Sequence, residues 1–147
     1  VDGADRRLDQ EPALGRAAHG REPAVVVYGA QSVASPALHA ALVAGGIVSV
    51  GVQPSLADGL AGNIQPGSIT VDLLRQHVRD VVLVDEPAIA HAMRWLLERE
   101  HVLVEGSAAV GVAALLGGQL PAAEAPMVVV LTGRNVSAAV LHGSVLA

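Results

Sequence analysis

Short apolar runs alternate along the chain with longer stretches whose apolar residues recur at helical spacing. The runs are rich in valine and bounded by glycine, proline or polar residues, which is typical of strands buried on both faces of a sheet. We predict strands at 24–28, 47–52, 81–84, 102–104 and 127–131. We predict helices at 36–44, at 70–78, after Asp85, at 107–117 and at the chain end through Leu146. This alternation predicts a mostly parallel sheet with right-handed crossovers.

The helix after Asp85 has the clearest pattern. Its apolar residues share one face at the spacing i, i+4, i+7 and i+8: Ile89, Met93, Leu96 and Leu97. Such spacing is typical of an amphipathic helix that packs on a core. Asp85 is predicted to be its N-cap, because a carboxylate there can accept a hydrogen bond from a first-turn N–H group.

Residues 1–22 differ from the rest of the chain because they mix charged and small residues without a sustained period. We interpret them as a tail, or as the remnant of a missing N-terminal part. The chain also begins with Val1 rather than methionine, which favours a fragment or an alternative start codon.

Charge and composition exclude several classes of function. The formal net charge is −5 and the nine basic residues are scattered, whereas nucleic-acid binding needs clusters of basic side chains, so we expect no nucleic-acid partner. No uninterrupted apolar run reaches the roughly 18 residues of a membrane span, so we expect no membrane partner. The polar first residues lack the apolar segment of a signal peptide, which leaves the cytoplasm as the default location.

Two missing residue types exclude specific chemistry. The sequence contains no cysteine, which excludes disulfides and thiolate catalysis. All nine basic residues are arginine, so the chain contains no lysine. Because Schiff-base catalysis needs a lysine amine, this chain alone cannot be a complete catalyst of that kind.

Polar residues and glycines follow four of the predicted strands, where ligands bind in parallel sheets. They are Gly29-Ala30-Gln31, Asp85, Glu105-Gly106-Ser107 and Thr132-Gly133-Arg134-Asn135. Turns and helix caps need the same residue types, so each group also has a purely structural interpretation.

The common nucleotide, nucleophile and metal motifs are absent. Gly106 and Gly111 are spaced as in a phosphate-binding loop, but Val112 stands where that motif requires lysine. No G-x-G-x-x-G follows the first strand, and Ser107 is not in a G-x-S-x-G nucleophile motif. The six histidines are dispersed, with no pair at ligand spacing, so we predict no metal site.

Five segments occur in one order, and together they are distinctive: SLADGLAG at 55–62, PGSIT at 66–70, RDVVLVD at 79–85, VEGSAAVGVAAL at 104–115 and VVVLTGRNV at 128–136. This series resembles the C-terminal part of the threonine/serine dehydratase family of pyridoxal-phosphate enzymes, which shares its fold with serine racemase and threonine synthase. The resemblance implies an α/β three-layer sandwich with a mostly parallel sheet, part of fold type II. Residues 23–147 would then be the C-terminal part of the catalytic domain.

The resemblance also implies roles for single residues. Thr132 matches the hydroxyl residue that hydrogen-bonds the pyridine nitrogen of pyridoxal phosphate. A neutral hydroxyl does not hold that nitrogen protonated, which suits β-elimination. Gly133 matches a glycine that lets the backbone approach the ring, and Glu105 matches a ring-side glutamate that could handle protons or position the substrate. Asp58 and Gly59 match a loop that borders the substrate pocket, although Asp58 could equally serve a turn.

The sequence departs from the family pattern in several places. It contains neither the Schiff-base lysine nor the glycine-rich loop that holds the phosphate, so we assign it no catalytic residue. Arg134 replaces a second glycine, and its side chain could crowd the ring or turn outward. Gln31 stands near where cation-binding members have a glutamate, which puts a metal site in doubt.

The resemblance implies a pyridoxal-phosphate-dependent ammonia-lyase that acts on hydroxy-amino acids by β-elimination, homo-oligomeric in its intact form. Within the family, a threonine or serine dehydratase, a serine racemase and a lyase that acts on a modified diamino acid all remain open. The alternative is a non-catalytic module of the same fold that binds a ligand or a partner. A stand-alone module would be monodisperse, whereas a truncated enzyme would expose its severed sheet and aggregate.

Overall fold

The computed structural model describes residues 25–121 and 126–146, in which two parallel strands lie at the centre. Strand β1 (Tyr28–Ser32) pairs with β2 (Asp80–Val84), with Tyr28 opposite Asp80 and Ser32 opposite Val84. The crossover contains helix α1 (Ala37–Ala44), a 3-10 turn (Asp58–Leu60) and helix α2 (Thr70–His77). After β2 come α3 (Glu86–Arg99), α4 (Gly106–Leu116), a short α5 (Ala138–Val140) and a π-helical turn (Leu141–Val145).

Helices cover both faces of the strand pair. On one face, Val81 belongs to a buried cluster with residues of α1 and α2. On the other face, Ala30 and Val84 belong to a second buried cluster, which contains most of the buried residues of α3 and α4. Burial on both faces explains why the β2 sequence is continuously apolar after Asp80. The arrangement confirms the predicted α/β fold with a parallel sheet between helical layers.

The predicted strand at 81–84 is confirmed, and the first strand is displaced from its predicted position. It was expected at 24–28 but runs over Tyr28–Ser32. Pairing with β2 decides its position, and the residues paired with Asp80–Val84 are Tyr28–Ser32. Gln31 was expected just beyond the strand end and instead lies inside the strand.

Three predicted strands, at 47–52, 102–104 and 127–131, are wrong for the part of the chain that the structure describes. These segments form no sheet there, and several of their apolar side chains are exposed: Leu103 by 41%, Val130 by 50% and Val128 by 85%. A strand needs a neighbour to accept and donate its backbone hydrogen bonds, and local sequence does not say whether one is present.

The predicted helices are confirmed with small shifts at their ends. Helix α1 stops at Gly45, which has a φ of +71° and donates its N–H toward the carbonyls of Ala41 and Leu42, as a glycine can without steric cost. The closing helix is correct in position but changes from α to π geometry at Leu141. Among the described residues, no helix has the length and apolarity needed to cross a membrane.

Asp85 caps helix α3 as predicted. Its carboxylate accepts a hydrogen bond of 2.9 Å from the Ala88 N–H. Pro87, in the first turn, has no N–H of its own to satisfy. The cap thus fixes the start of the helix at the carboxyl end of β2.

Replacing the cap by alanine should destabilise the protein. Asp85→Ala removes the acceptor of the Ala88 N–H, and we expect the free energy of unfolding to fall by about 1 kcal/mol in urea denaturation. Asp85→Asn keeps an acceptor at the same position and should stay near the parent value. Equal stability of the alanine variant and the parent would contradict the capping role.

Candidate functional site

The carboxyl end of the two strands is occupied by structural hydrogen bonds. Gln31 is 1% exposed, and its Oε1 accepts from the N–H groups of Leu38 and His39 at 3.1 and 3.4 Å. Its amide therefore caps the first turn of α1. Among residues 25–121 and 126–146, no group of three or more His, Cys, Asp or Glu side chains could hold a metal ion.

Glu105 and the segment around Gly133 form one contact unit. The Glu105 N–H donates to the Gly133 carbonyl at 3.0 Å, and the Asn135 N–H donates to Glu105 Oε2 at 3.0 Å. A Cβ atom on Gly133 would overlap the Glu105 carboxyl group, so the carboxyl group lies directly against this glycine. The structure thus joins two predicted site residues that lie 28 positions apart in the printed sequence.

Thr132 immediately precedes this contact unit and is exposed. Thr132 therefore belongs to the same segment as Gly133 and Asn135, which are in contact with Glu105. Arg134 is also exposed. Glu105 and Gly133 are half-buried, so the carboxylate keeps some access to solvent.

Asp58 and Gly59 belong to the 3-10 turn, which packs against helix α4. Just before the turn, the Leu56 carbonyl lies directly against Gly106, where a Cβ atom would overlap it. Gly106 follows Glu105, so the segment with Asp58 and Gly59 reaches the start of α4 beside the carboxylate. The structure therefore brings the segments that carry the five predicted site residues together near the N-terminal end of α4, through the contacts of Leu56 with Gly106 and of Glu105 with Gly133.

Glu86 was not among the site residues predicted from the sequence. This half-buried carboxylate accepts hydrogen bonds from Ser32 Oγ (2.7 Å), Ser55 Oγ (2.7 Å) and the Leu56 N–H (2.6 Å). It joins the end of β1 to the segment that leads to Asp58. An acidic residue in a first helical turn is common because it interacts favourably with the helix dipole, so the sequence gives no further signal.

The contact between Gly106 and Leu56 leads to a stability prediction. In a helix, alanine normally stabilises relative to glycine, but at Gly106 the added methyl group meets a backbone carbonyl that cannot rotate away. We expect Gly106→Ala to lower the unfolding free energy by about 1–3 kcal/mol.

Gly143→Ala is the matched control, because a Cβ atom there has nothing within 4 Å. It should change the unfolding free energy by less than about 0.5 kcal/mol in either direction. Urea denaturation of both variants decides the point; a Gly106→Ala variant as stable as the parent would contradict the close approach.

Comparison with known proteins identifies the family. Residues 13–133 match the family described as pyridoxal-phosphate dependent enzyme. The L-threonine ammonia-lyase of Geobacter sulfurreducens is 43% identical over 114 residues, which are 78% of this chain and 28% of that enzyme. The chain thus spans well under half the length of this curated relative.

Solved structures agree with this assignment. The T.th. threonine deaminase superposes with a TM-score of 0.69 at 29% identity, covering 82% of this chain and 42% of that one. The match to serine racemase from Dictyostelium discoideum has a TM-score of 0.73 at 23% identity and covers 92% of this chain and 42% of the racemase. At this identity it shows the likeness of fold alone. The chain belongs to the pyridoxal-phosphate-dependent enzymes and has the α/β fold of their fold type II.

Proposed function

We propose that this chain is the C-terminal part of a pyridoxal-phosphate-dependent ammonia-lyase acting on threonine or serine. The observation that carries the proposal is the contact of Glu105 with Gly133 and Asn135, which assembles the VEG and TGRN segments into one site. The identity to the threonine ammonia-lyase of Geobacter sulfurreducens, 43% over 114 residues, supports this reaction type.

In this reaction a hydroxy-amino acid loses its α-proton and its β-hydroxyl group as water. Hydrolysis of the dehydrated product then gives a 2-oxo acid and ammonia. The bound cofactor supplies the electron sink for removal of the α-proton. The chain described here contributes a wall of the site and the groups that hold the ring.

We propose that the residues around Gly133 hold the ring of the cofactor. The Glu105 carboxyl group fills the space that a Cβ atom on Gly133 would take, and Thr132, the neighbouring residue, is exposed and carries a hydroxyl group. We propose that the Thr132 hydroxyl group forms a hydrogen bond with the pyridine nitrogen of the cofactor. The Glu105 carboxylate accepts a hydrogen bond from the Asn135 N–H. In this proposal it lies beside the ring and either positions the substrate or carries a proton. Asp58 and Gly59 border the amino-acid substrate.

The site needs a lysine from outside these 147 residues, because this sequence contains none. We propose that another part of the same fold supplies it and pairs with the segments at 102–104 and 127–131, which form no sheet within the described residues. The exposure of Leu103, Val128 and Val130 favours this arrangement, since large exposed apolar patches on a protein surface often mark an interaction site. The proposal includes a homo-oligomer, as the family resemblance implies, with the cytoplasm as its default location.

The 147-residue chain alone should therefore release no ammonia or 2-oxo acid from threonine or serine when pyridoxal phosphate is added. The full-length product of the gene that carries these codons should release both, and only with the cofactor present. A coupled assay for the 2-oxo acid measures both proteins. Activity of the chain alone would overturn the need for an external lysine, and an inactive full-length product would overturn the lyase assignment.

The role of Thr132 can be tested in the full-length product. Thr132→Ala removes one hydrogen bond to the ring, and we expect cofactor affinity to fall about 5- to 10-fold. Thr132→Ser keeps the hydroxyl group and should bind the cofactor as the parent does. Fluorescence titration with pyridoxal phosphate measures the affinities; equal values for the alanine variant and the parent would remove Thr132 from the site.

A further inference from the structure

Glu86 is the point where three separate segments meet. It is the first residue of α3, two positions after β2 ends. Its Oε1 accepts from the Ser32 hydroxyl at the end of β1 and from the Ser55 hydroxyl, both at 2.7 Å. Its Oε2 accepts from the Leu56 N–H at 2.6 Å. Three donors converge on two carboxylate oxygens, an arrangement that a neutral amide can satisfy only in part.

The segment that Glu86 holds leads directly to the candidate site. Ser55 Oγ also accepts from the Ala57 N–H at 3.0 Å, and Ala57 is 1% exposed within the core beside α4. The Leu56 carbonyl, in the same peptide segment, lies against Gly106. The 3-10 turn with Asp58 begins one residue after Ala57.

We propose that Glu86 is a positioning residue: its carboxylate holds segment 55–57 against Gly106 and thereby fixes where the Glu105 carboxylate and Asp58 lie. The effect of Glu86 on the reaction rests on the proposed function of Glu105 and Asp58. Its effect on the position of segment 55–57 rests only on the hydrogen bonds of Glu86 and on the contact of Leu56 with Gly106. The hydrogen bonds of Glu86 go to Ser32, Ser55 and Leu56, so it acts on the site through the Leu56 peptide.

Amide hydrogen exchange in the full-length product tests the positioning. In Glu86→Ala, the Leu56 N–H loses a charged acceptor, and its exchange should accelerate about 10- to 100-fold relative to the Ala92 amide in the middle of α3. The amides of Glu105 and Asn135, whose acceptors lie across the site contact, should also accelerate relative to Ala92. Glu86→Gln keeps one acceptor oxygen and should recover part of the protection.

Glu98→Ala is the matched control, because Glu98 is on the same helix and its side chain is 59% exposed. It should leave the relative exchange rates of Leu56, Glu105 and Asn135 unchanged. If Glu86→Ala does not fold, Ser55→Ala replaces it, and the relative acceleration at Leu56 and Glu105 is expected in weaker form.

Unchanged relative exchange at Leu56 would overturn the proposal. Acceleration at Leu56 without any at Glu105 and Asn135 would overturn the link to the site. In the full-length product, Glu86→Ala should lower kcat at least tenfold with little change in KM, while Glu98→Ala changes neither; a parent-like kcat would overturn the effect on the reaction. If the full-length parent is inactive, the proposed function fails, and the exchange rates still decide whether Glu86 positions the segment.

Discussion

The pairing of two parallel strands, Tyr28–Ser32 and Asp80–Val84, is the constraint on which the rest of this structure depends. Parallel neighbours cannot be joined by a tight turn, so the chain between them must cross over one face. That crossover carries α1 and α2 to one side, which leaves the other side to α3 and α4. The same pairing aligns Ser32 with Val84. It therefore sets Glu86 within reach of the Ser32 hydroxyl and of the crossover segment.

Two close backbone approaches turn this scaffold into a site. At Gly106 the carbonyl of Leu56 takes the space of a side chain, and at Gly133 the Glu105 carboxyl group does so. Both glycines lie next to residues that carry functional groups, Glu105 and Thr132. The approach at Gly106 is between two backbone segments, whereas the approach at Gly133 is between backbone and the end of a flexible side chain. Segments from three distant parts of the sequence thus converge within one region, and the glycine at 106 is the position that tolerates a side chain least.

Local signals were enough to predict β2, the cap at Asp85 and the four longer helices, because each depends on residues close in sequence. The runs at 102–104 and 127–131 carry the same apolar signal as β2, yet in the described residues they lack the neighbour that β2 has. Strand pairing is a property of the partner as well as of the segment, so the sequence pattern alone overpredicted the sheet.

The candidate site, like the fold, could be predicted from the sequence only in part. Glu105, Gly133, Thr132, Asp58 and Gly59 were predicted from the resemblance of their motifs, and the structure gathers the segments that carry them. The role of Glu86 could not be predicted, since nothing in its own sequence context shows that Ser55 and Leu56 approach it. Its hydrogen bonds span 31 and 30 positions and exist only after the crossover is folded.

We propose that these residues hold the ring of a cofactor whose covalent anchor lies elsewhere in the full-length protein. Borohydride reduction of the full-length product with pyridoxal phosphate, followed by peptide mass spectrometry, locates that anchor. Reduction converts the cofactor–lysine bond into a stable amine, so the modified residue can be read from its peptide. The account predicts a single modified lysine outside the 147 residues. A product with no modified lysine, although it binds the cofactor and releases ammonia, would contradict the account.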